Sequence, residues 1–440
     1  MDPTPHLLPE IAAWVASSRP SGTRDASRRL LMDQIGISLA GRRLLGRHPA
    51  FRLVDRMDGT FRATTWTEEG RGLAPYVVLA NRCAGDELEL TAGPECVAAA
   101  VAAAEIADAS LGQLLDALAV GADVEEYLRN WLGEPAERHG LHPPAFFGAV
   151  ASAAVSSRLL DLPAAGCAAA MSTAAALAPQ SSYAAFSNGA RAKTLYGAWS
   201  QSLGLWAALW APGGMSGPLT AFEGSRGIAQ ALLDTPGPVG PPPFDPDGRA
   251  VTRVTFKPFP CNRASHAVLT ALEMLWPRSV GAASNTEQID EMDAIEAIEV
   301  LTYPYAVELD RRSRGSSPIA AQVSIPTTIA LRLVLGHLDP GRAYTDENLA
   351  RAAVQRLRDK ITVGVLPGTE AGARRRVARV TIRTGDGRDL TAETETRWNA
   401  NAPATDAELR ERFDGFTRAT RAAGWWDTLD STPVRRMIGY

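Results

Sequence analysis

TPGPVGPPPFDPDG (residues 235–248) carries six prolines in fourteen residues. Proline fixes φ and removes a backbone donor, so neither a helix interior nor a central strand runs through this stretch, and it reads as a linker. Sequence character changes across it. Before it, apolar residues recur at three and four spacing, as in 27–39 and 96–118, and strand signals are nearly absent. After it, Ala378, Val380 and Ile382 alternate with Arg379, Thr381 and Arg383, and Gly385-Asp386-Gly387 offers a hairpin turn into 390–396. Residues 295–303 and 361–365 are further strand candidates, with helices expected at 264–274 and 345–357. This part reads as a small α/β or α+β unit. Helix returns beyond residue 400, where Thr405 and Glu408 are spaced as a capping box ahead of Leu409, Phe413 and Phe416. The expected segments are 1–250, 251–400 and 401–440.

A chain of 440 residues with 45% hydrophobic content is long enough for a large core and about two domains. Its net charge is only -4, without a long run of one sign, so it carries no electrostatic footprint for nucleic acid. The opening residues MDPTPHLLPEIAAWVASSRP lack the basic region, apolar run and cleavage site of a secretory signal. Four cysteines stand far apart with no CxxC spacing, which indicates neither a zinc site nor a disulfide framework. A cytoplasmic protein with reduced thiols is expected. The uncharged stretches 162–190 and 194–222 are rich in Ala, Ser and Gly and hold Pro163, Pro179 and Pro212, so they read as closely packed buried helices rather than membrane spans.

Lysine is scarce: Lys193, Lys257 and Lys360 stand against 42 arginines. Where Arg is the default cation a retained Lys invites a chemical explanation, because a buried Lys can lose its proton and Arg effectively cannot. Between Asp161 and Glu223 the charged residues are Arg191 and Lys193, in SNGARAKTLYGAW (187–199). Charged groups are rarely buried alone, so this break predicts a cleft in which Lys193 binds an anion or moves a proton. The plainer alternative is an exposed loop with two ordinary cations.

His139 and His142 lie together in RHGLHPPAFFGA (138–149). Their spacing would suit a metal on a helix, but Pro143 and Pro144 end any helix at His142, so no metal pair is expected. His142 either projects a base into a cleft at a helix entrance or is a structural histidine. FKPFPCNRASH (256–266) gathers Lys257, Asn262, Arg263 and His266 beside the linker, on backbone that two prolines keep extended. GDELEL (85–90) supplies Asp86, Glu87 and Glu89, as an acid/base loop or as a solvated turn. Phosphate-loop, dinucleotide, GxSxG and HExxH motifs are missing from the sequence. The residues therefore describe an acid/base enzyme for a small anionic substrate, with no metal and no organic cofactor expected.

Five ordered segments, DQIGISLAG (33–41), GLHPPAFFGAVASAA (140–154), ARAKTLYGAW (190–199), FEGSRG (222–227) and FKPFPCNRASH (256–266), resemble the MmgE/PrpD family. That family includes 2-methylcitrate dehydratase, cis-aconitate decarboxylase and iminodisuccinate epimerase. The resemblance spans about residues 9–420. It implies a mainly α fold: a large discontinuous helical domain from the N-terminal part and the C-terminal end, a smaller α+β lid domain between them, and a homodimer. It also implies an active site between the domains. The family's histidine falls on His142 and its two lysines on Lys193 and Lys257, with Arg263 and His266 at the end of the second lysine motif.

The departures are specific. In the family's acidic loop, Asp86 replaces a histidine and Glu89 stands nearest an aspartate. Tyr196 replaces the histidine that follows the first lysine, and Thr327 stands where some members carry a lid tyrosine. The expected activity is that of a lyase or isomerase that removes or relocates a proton next to a carboxylate by dehydration, decarboxylation or epimerisation. Lys193 and Lys257 would bind carboxylates, His142 would be base or acid, and Glu89 or Asp86 its counterpart; Arg263, His266, Asn262, Tyr196 and Thr327 would line the substrate. The altered loop also admits a biosynthetic enzyme working on a non-citrate substrate, or a binding protein without chemistry.

Overall fold

The computed structural model describes residues 6–45, 61–66, 70–276, 294–312, 317–369, 376–418, 420, 422–428 and 434; the outer ends of the segments 1–250 and 401–440 lie outside them. The protein is mainly α, with a small α+β C-terminal part.

The three helices Leu111–Arg138, Pro143–Leu159 and Tyr196–Trp210 pack together at the centre of the helical body. Small side chains permit the approach. A Cβ added to Gly204 would lie 2.4 Å from the Ser152 Cβ and 2.6 Å from the Ala149 carbonyl oxygen, so these helices meet nearly backbone to backbone. This accounts for the Ala, Gly and Ser of the uncharged stretches, which form the helices Ala164–Leu177 and Tyr196–Trp210. No helix among the described residues is long and apolar enough to cross a membrane.

The apolar run at 96–118 resolves into Val97–Ala107 and Leu111–Arg138. Asp108 turns left-handed, and Ser110 with Gln113 forms a capping box that starts the second helix. The body is not wholly helical: β1 (Arg62–Thr64) and β2 (Arg71–Leu73) pair antiparallel. Three-residue strands are too short to show alternation, which is why the sequence did not announce them. Glu105 anchors this hairpin by accepting from Thr64 N at 3.1 Å and from its Oγ1 at 2.6 Å.

The C-terminal part is a four-stranded sheet in the order β4-β3-β5-β6, with β3 Ile295–Thr302, β4 Ile361–Val365, β5 Val377–Thr384 and β6 Asp389–Glu395. β3 runs parallel to β4 and antiparallel to β5. The helix His266–Leu275 covers β5 and β6, and Ile298, Val300, Val380 and Ile382 join its Val268, Leu269 and Leu272 in one core. The helix expected at 345–357 is two, Asp346–Ala350 and Ala352–Asp359, parted by the extended backbone of Arg351.

The C-terminal helix Asp406–Thr417, which the short helix Trp425–Thr428 follows, packs back on Arg24–Leu45 and puts Leu409 and Phe413 into the same core as Leu30, Met32 and Ile35. Thr405 and Glu408 form the expected capping box. Arg412 carries the join: one nitrogen pairs with Asp33 and the other donates to the carbonyl of Lys257 at 2.6 Å. The C-terminal return thereby supports the backbone of a candidate site residue.

Candidate active site

The centre is a carboxylate held between two ammoniums. Glu89 follows the helix Ala74–Asp86 in a tight turn, with its N–H donating to the Asp86 carbonyl at 3.2 Å. Its φ is +53°, a left-handed conformation that costs a non-glycine residue about 1–2 kcal/mol. That turn aims the side chain inward. Lys193, from the short 3-10 turn Arg191–Leu195, donates to Oε2; Lys257, beyond the proline linker, donates to Oε1 at 2.8 Å and to the Glu89 carbonyl oxygen at 3.0 Å. Glu89, Lys193 and Lys257 are 8, 5 and 7% exposed. Burial by itself raises a carboxylate pKa, but the two ammoniums outweigh it and hold Glu89 well below the usual range.

Around this triad, Lys193 also lies 5.0 Å from the Phe186 ring centroid and donates to Gln322 Oε1 at 3.4 Å. Gln322 belongs to the C-terminal part. Its Nε2 donates to the Glu87 carbonyl at 3.1 Å and its own carbonyl accepts from Asn262 N at 2.8 Å. Arg191, in contrast, is exposed and pairs with Glu87 at 2.7 Å. The expected cleft is a closed seam here, with Lys193 inside and Arg191 on its rim.

His142 stands just ahead of Pro143–Leu159, where the two prolines occupy the first turn and lose no needed donor. Its ring lies among Tyr183, Phe186 and Tyr196, with centroids at 5.4, 6.3 and 5.6 Å, and its buried Nδ1 has no hydrogen-bond partner. Burial lowers its pKa to about 4 against the pull of Glu95 and Glu89. The imidazole is neutral at ordinary pH, with a nitrogen to spare. His139 is apart from it, at the end of Leu111–Arg138, with Nδ1 near the Pro135 carbonyl and Nε2 near Asp234. Among the described residues no group of three or more His, Cys, Asp or Glu could hold a metal ion.

Asp86 is not turned to the lysines. It pairs with Arg82 one helical turn earlier and accepts from Thr91 Oγ1 at 2.7 Å. Burial raises its pKa to about 6, against the attraction of Arg82. Arg82 also binds Glu95 through Nε and Nη2, at 2.9 and 2.7 Å, and Gln201 Nε2 donates to Glu95 at 3.0 Å. This buried network went unread in the sequence, because Arg82 and Glu95 share no motif and Gln201 lies more than 100 positions further on.

The remaining candidates are tied to backbone or to neighbouring side chains. Asn262 accepts from Ala264 N at 2.8 Å, His266 Nε2 lies 3.0 Å from the Cys261 carbonyl, and Tyr196 donates to the Ser182 carbonyl at 2.5 Å. Thr327 Oγ1 bonds Ser324 Oγ at 3.0 Å in the first turn of Ile325–Leu335. Arg263 donates to Thr255 Oγ1 and to its carbonyl at 2.9 and 2.6 Å. Lys360, outside every motif, donates to the Ile295 carbonyl beside the sheet.

Fold and site together define a mainly helical protein whose α+β C-terminal part closes over a buried carboxylate shared by two lysines. The chain belongs to the MmgE/PrpD family: it matches the MmgE/PrpD N-terminal domain over residues 9–239 and the MmgE/PrpD C-terminal domain over residues 259–423. Members of that family are generally enzymes, of the dehydratase and lyase type or related to it. A comparison with curated proteins finds no match.

Proposed function

We propose that this protein is a lyase or isomerase that removes or relocates a proton next to a carboxylate of a small acid. The observation that carries the proposal is the triad. With both ammoniums charged, Lys193 and Lys257 around the single carboxylate of Glu89 leave one positive charge uncompensated in a dry place, and one substrate carboxylate neutralises it. As that carboxylate draws on the lysines, their hold on Glu89 weakens and its proton affinity rises. Glu89 then accepts the proton from the carbon beside the bound carboxylate, while the lysines stabilise the enolate-like charge. His142, neutral and with Nδ1 unpartnered, is the second proton-transfer group.

In this reading segments 1–250 and 401–440 form one body, 251–400 forms the lid, and the substrate lies between them. The proton chemistry is assigned to side chains alone. The four cysteines are buried and unpaired, which suits the reducing cytoplasm. Two copies associate through the apolar face of Tyr196–Trp210.

Asp86 clamped by Arg82, in place of the family's loop histidine, favours a second reading in which the same chemistry serves a biosynthetic route on a non-citrate acid. Solvent deuterium uptake into a panel of carboxylic acids, followed by NMR, tests both. Exchange beside a carboxylate that disappears in Lys193→Ala is expected. An active protein whose exchange ignores that substitution overturns the assignment.

A further inference from the structure

Glu89 sits in its left-handed turn between Leu88 and Leu90, which are buried in one small core with Ile37 and Ala40. Asp86 closes that turn twice. Its carbonyl accepts from Glu89 N at 3.2 Å, and its Oδ1 accepts from Thr91 Oγ1 at 2.7 Å, so one residue spans the loop on both sides of Glu89. There is little slack around this clasp, because a Cβ added to Gly85 would lie 3.0 Å from Ser38 Oγ and 3.1 Å from Thr91 Cγ2. The same Oδ1 receives Nη1 of Arg82.

Arg82 has little freedom to follow a moving Asp86. Its Nε and Nη2 are fixed on the two oxygens of Glu95, and Glu95 is fastened to three helices. The Glu95 N–H donates to Glu125 Oε2 of Leu111–Arg138 at 2.6 Å, its carbonyl accepts from Ser152 Oγ of Pro143–Leu159 at 2.7 Å, and its Oε2 accepts from Gln201 of Tyr196–Trp210 at 3.0 Å. Two glycines leave room for it. A Cβ on Gly148 would lie 2.4 Å from the Glu95 Cβ, and one on Gly197 would lie 2.5 Å from Glu95 Oε2. Gly148 belongs to the helix that His142 precedes, and Gly197 follows Tyr196, whose ring centroid lies 5.6 Å from that of His142. The Arg82 fork is therefore anchored to the elements that carry His142 and Tyr196.

We infer that Asp86 is a positioning residue: with Thr91 and the Arg82 fork it keeps Glu89 in the turn that aims its carboxylate at the lysines. The inference rests on the reading of Glu89 as the proton acceptor, and it takes Asp86 out of the proton transfer itself. In the free protein Lys257 also holds the turn, through the Glu89 carbonyl. A substrate carboxylate that draws on the lysines loosens that hold at the moment when Glu89 must stay in place. The clasp does not share a donor with the substrate, so it persists. Without it the backbone of Glu89 is free to leave a conformation that costs about 1–2 kcal/mol, and the acceptor is lost while both lysines remain.

Solvent deuterium uptake into propionate, succinate and malate at saturating acid, together with calorimetric titration of the same acids, tests this in the full-length protein. Asp86→Ala and Thr91→Val should each slow exchange about 10- to 100-fold without weakening binding, because a misplaced acceptor costs rate and the lysines still hold the carboxylate. Asp86→Asn keeps an acceptor oxygen and Thr91→Ser keeps the donor, so each should recover most of the rate. Arg82 retains both bonds to Glu95 in all four variants, so no buried cation is stranded and folding should survive. If Glu89→Gln abolishes exchange while Asp86→Ala and Thr91→Val leave it unchanged, Glu89 stands as the acceptor and the positioning role falls. A loss of rate matched by an equal loss of affinity also overturns it, as general damage to the site. If no acid exchanges in the wild type, or exchange ignores Glu89→Gln, the reading of the triad falls and this inference with it.

Discussion

Lys257 donates to Glu89 twice, to Oε1 at 2.8 Å and to the carbonyl oxygen of the same residue at 3.0 Å. One ammonium thus fixes both the side chain and the strained backbone of the carboxylate. Glu89→Gln removes the counter-charge of two buried lysines and should cost about 3–5 kcal/mol of stability, the usual result of breaking a buried pair. Chemical denaturation measures it. A loss under 1 kcal/mol would show that the lysines find another partner.

Glu89 also sets an acid limit. Its folded pKa lies below the value of about 4.3 for a free glutamate, so its contribution is fully present above that pH and is lost as pH falls below it. The fall in melting temperature below pH 4 should be shallower in Glu89→Gln than in the wild type, starting from a lower plateau. Parallel curves would remove Glu89 from the acid transition.

His142 works over a different range. Its folded pKa of about 4 is below the unfolded value of about 6.5, so the unfolded chain takes up the proton first and stability falls as pH drops from 6.5 towards 4. His142→Gln should flatten that part of the stability profile. Activity that depends on the neutral imidazole should persist to well below pH 6, and a rate profile breaking near 6.5 would contradict a buried neutral histidine.

Lys193→Ala should lower kcat/KM by about 3–5 kcal/mol, since the bound carboxylate loses a desolvated partner. Lys193→Arg should restore part of this, because the planar fork keeps the charge but not the geometry. Lys360→Ala gives up a bond to the Ile295 carbonyl, so it should shift melting slightly and leave turnover alone. Near-normal turnover in Lys193→Ala would move the substrate carboxylate elsewhere.

Leu195, Trp199 and Trp210 are 39, 52 and 37% exposed and, with Trp206, follow one face of Tyr196–Trp210; Trp206 and Trp210 stack at 5.4 Å. A face of this kind in a homodimer is covered by the partner. Light scattering should give a dimer for the wild type and a monomer for Trp199→Glu combined with Trp210→Glu. A wild-type monomer at micromolar concentration would leave this face open to solvent.

Much of this was legible where local rules govern. Period-two alternation located β5; β3 and β4 fall on the further strand candidates 295–303 and 361–365, and the Thr405 and Glu408 spacing marked the start of Asp406–Thr417. Lysine scarcity marked Lys193, Lys257 and Lys360 alike, and the family motifs singled out the first two, which meet at one carboxylate. Asp86 and Glu89 looked equivalent in GDELEL, because sequence does not reveal that Asp86 shares a helix face with Arg82 while Glu89 turns left-handed. Nor could spacing show that Asn262, His266 and Thr327 answer to nearby backbone and hydroxyl groups. Those bonds are local, to partners two to five residues away, but whether a side chain turns to its own backbone or to a ligand is set by the fold, as is the Arg82, Glu95 and Gln201 network.

Arg412 binds Asp33, 379 positions earlier, and the carbonyl of Lys257, 155 positions earlier. During synthesis, therefore, the segment that bears Asp33 emerges from the ribosome long before its counter-charge exists. A nascent chain that stops short of 406–417 presents that carboxylate without a partner, and the backbone under Lys257 without its brace. Contacts this distant in sequence form late and slowly. The brace under Lys257 is thus the last part of this region to be made, added only after nearly all of the polypeptide has emerged.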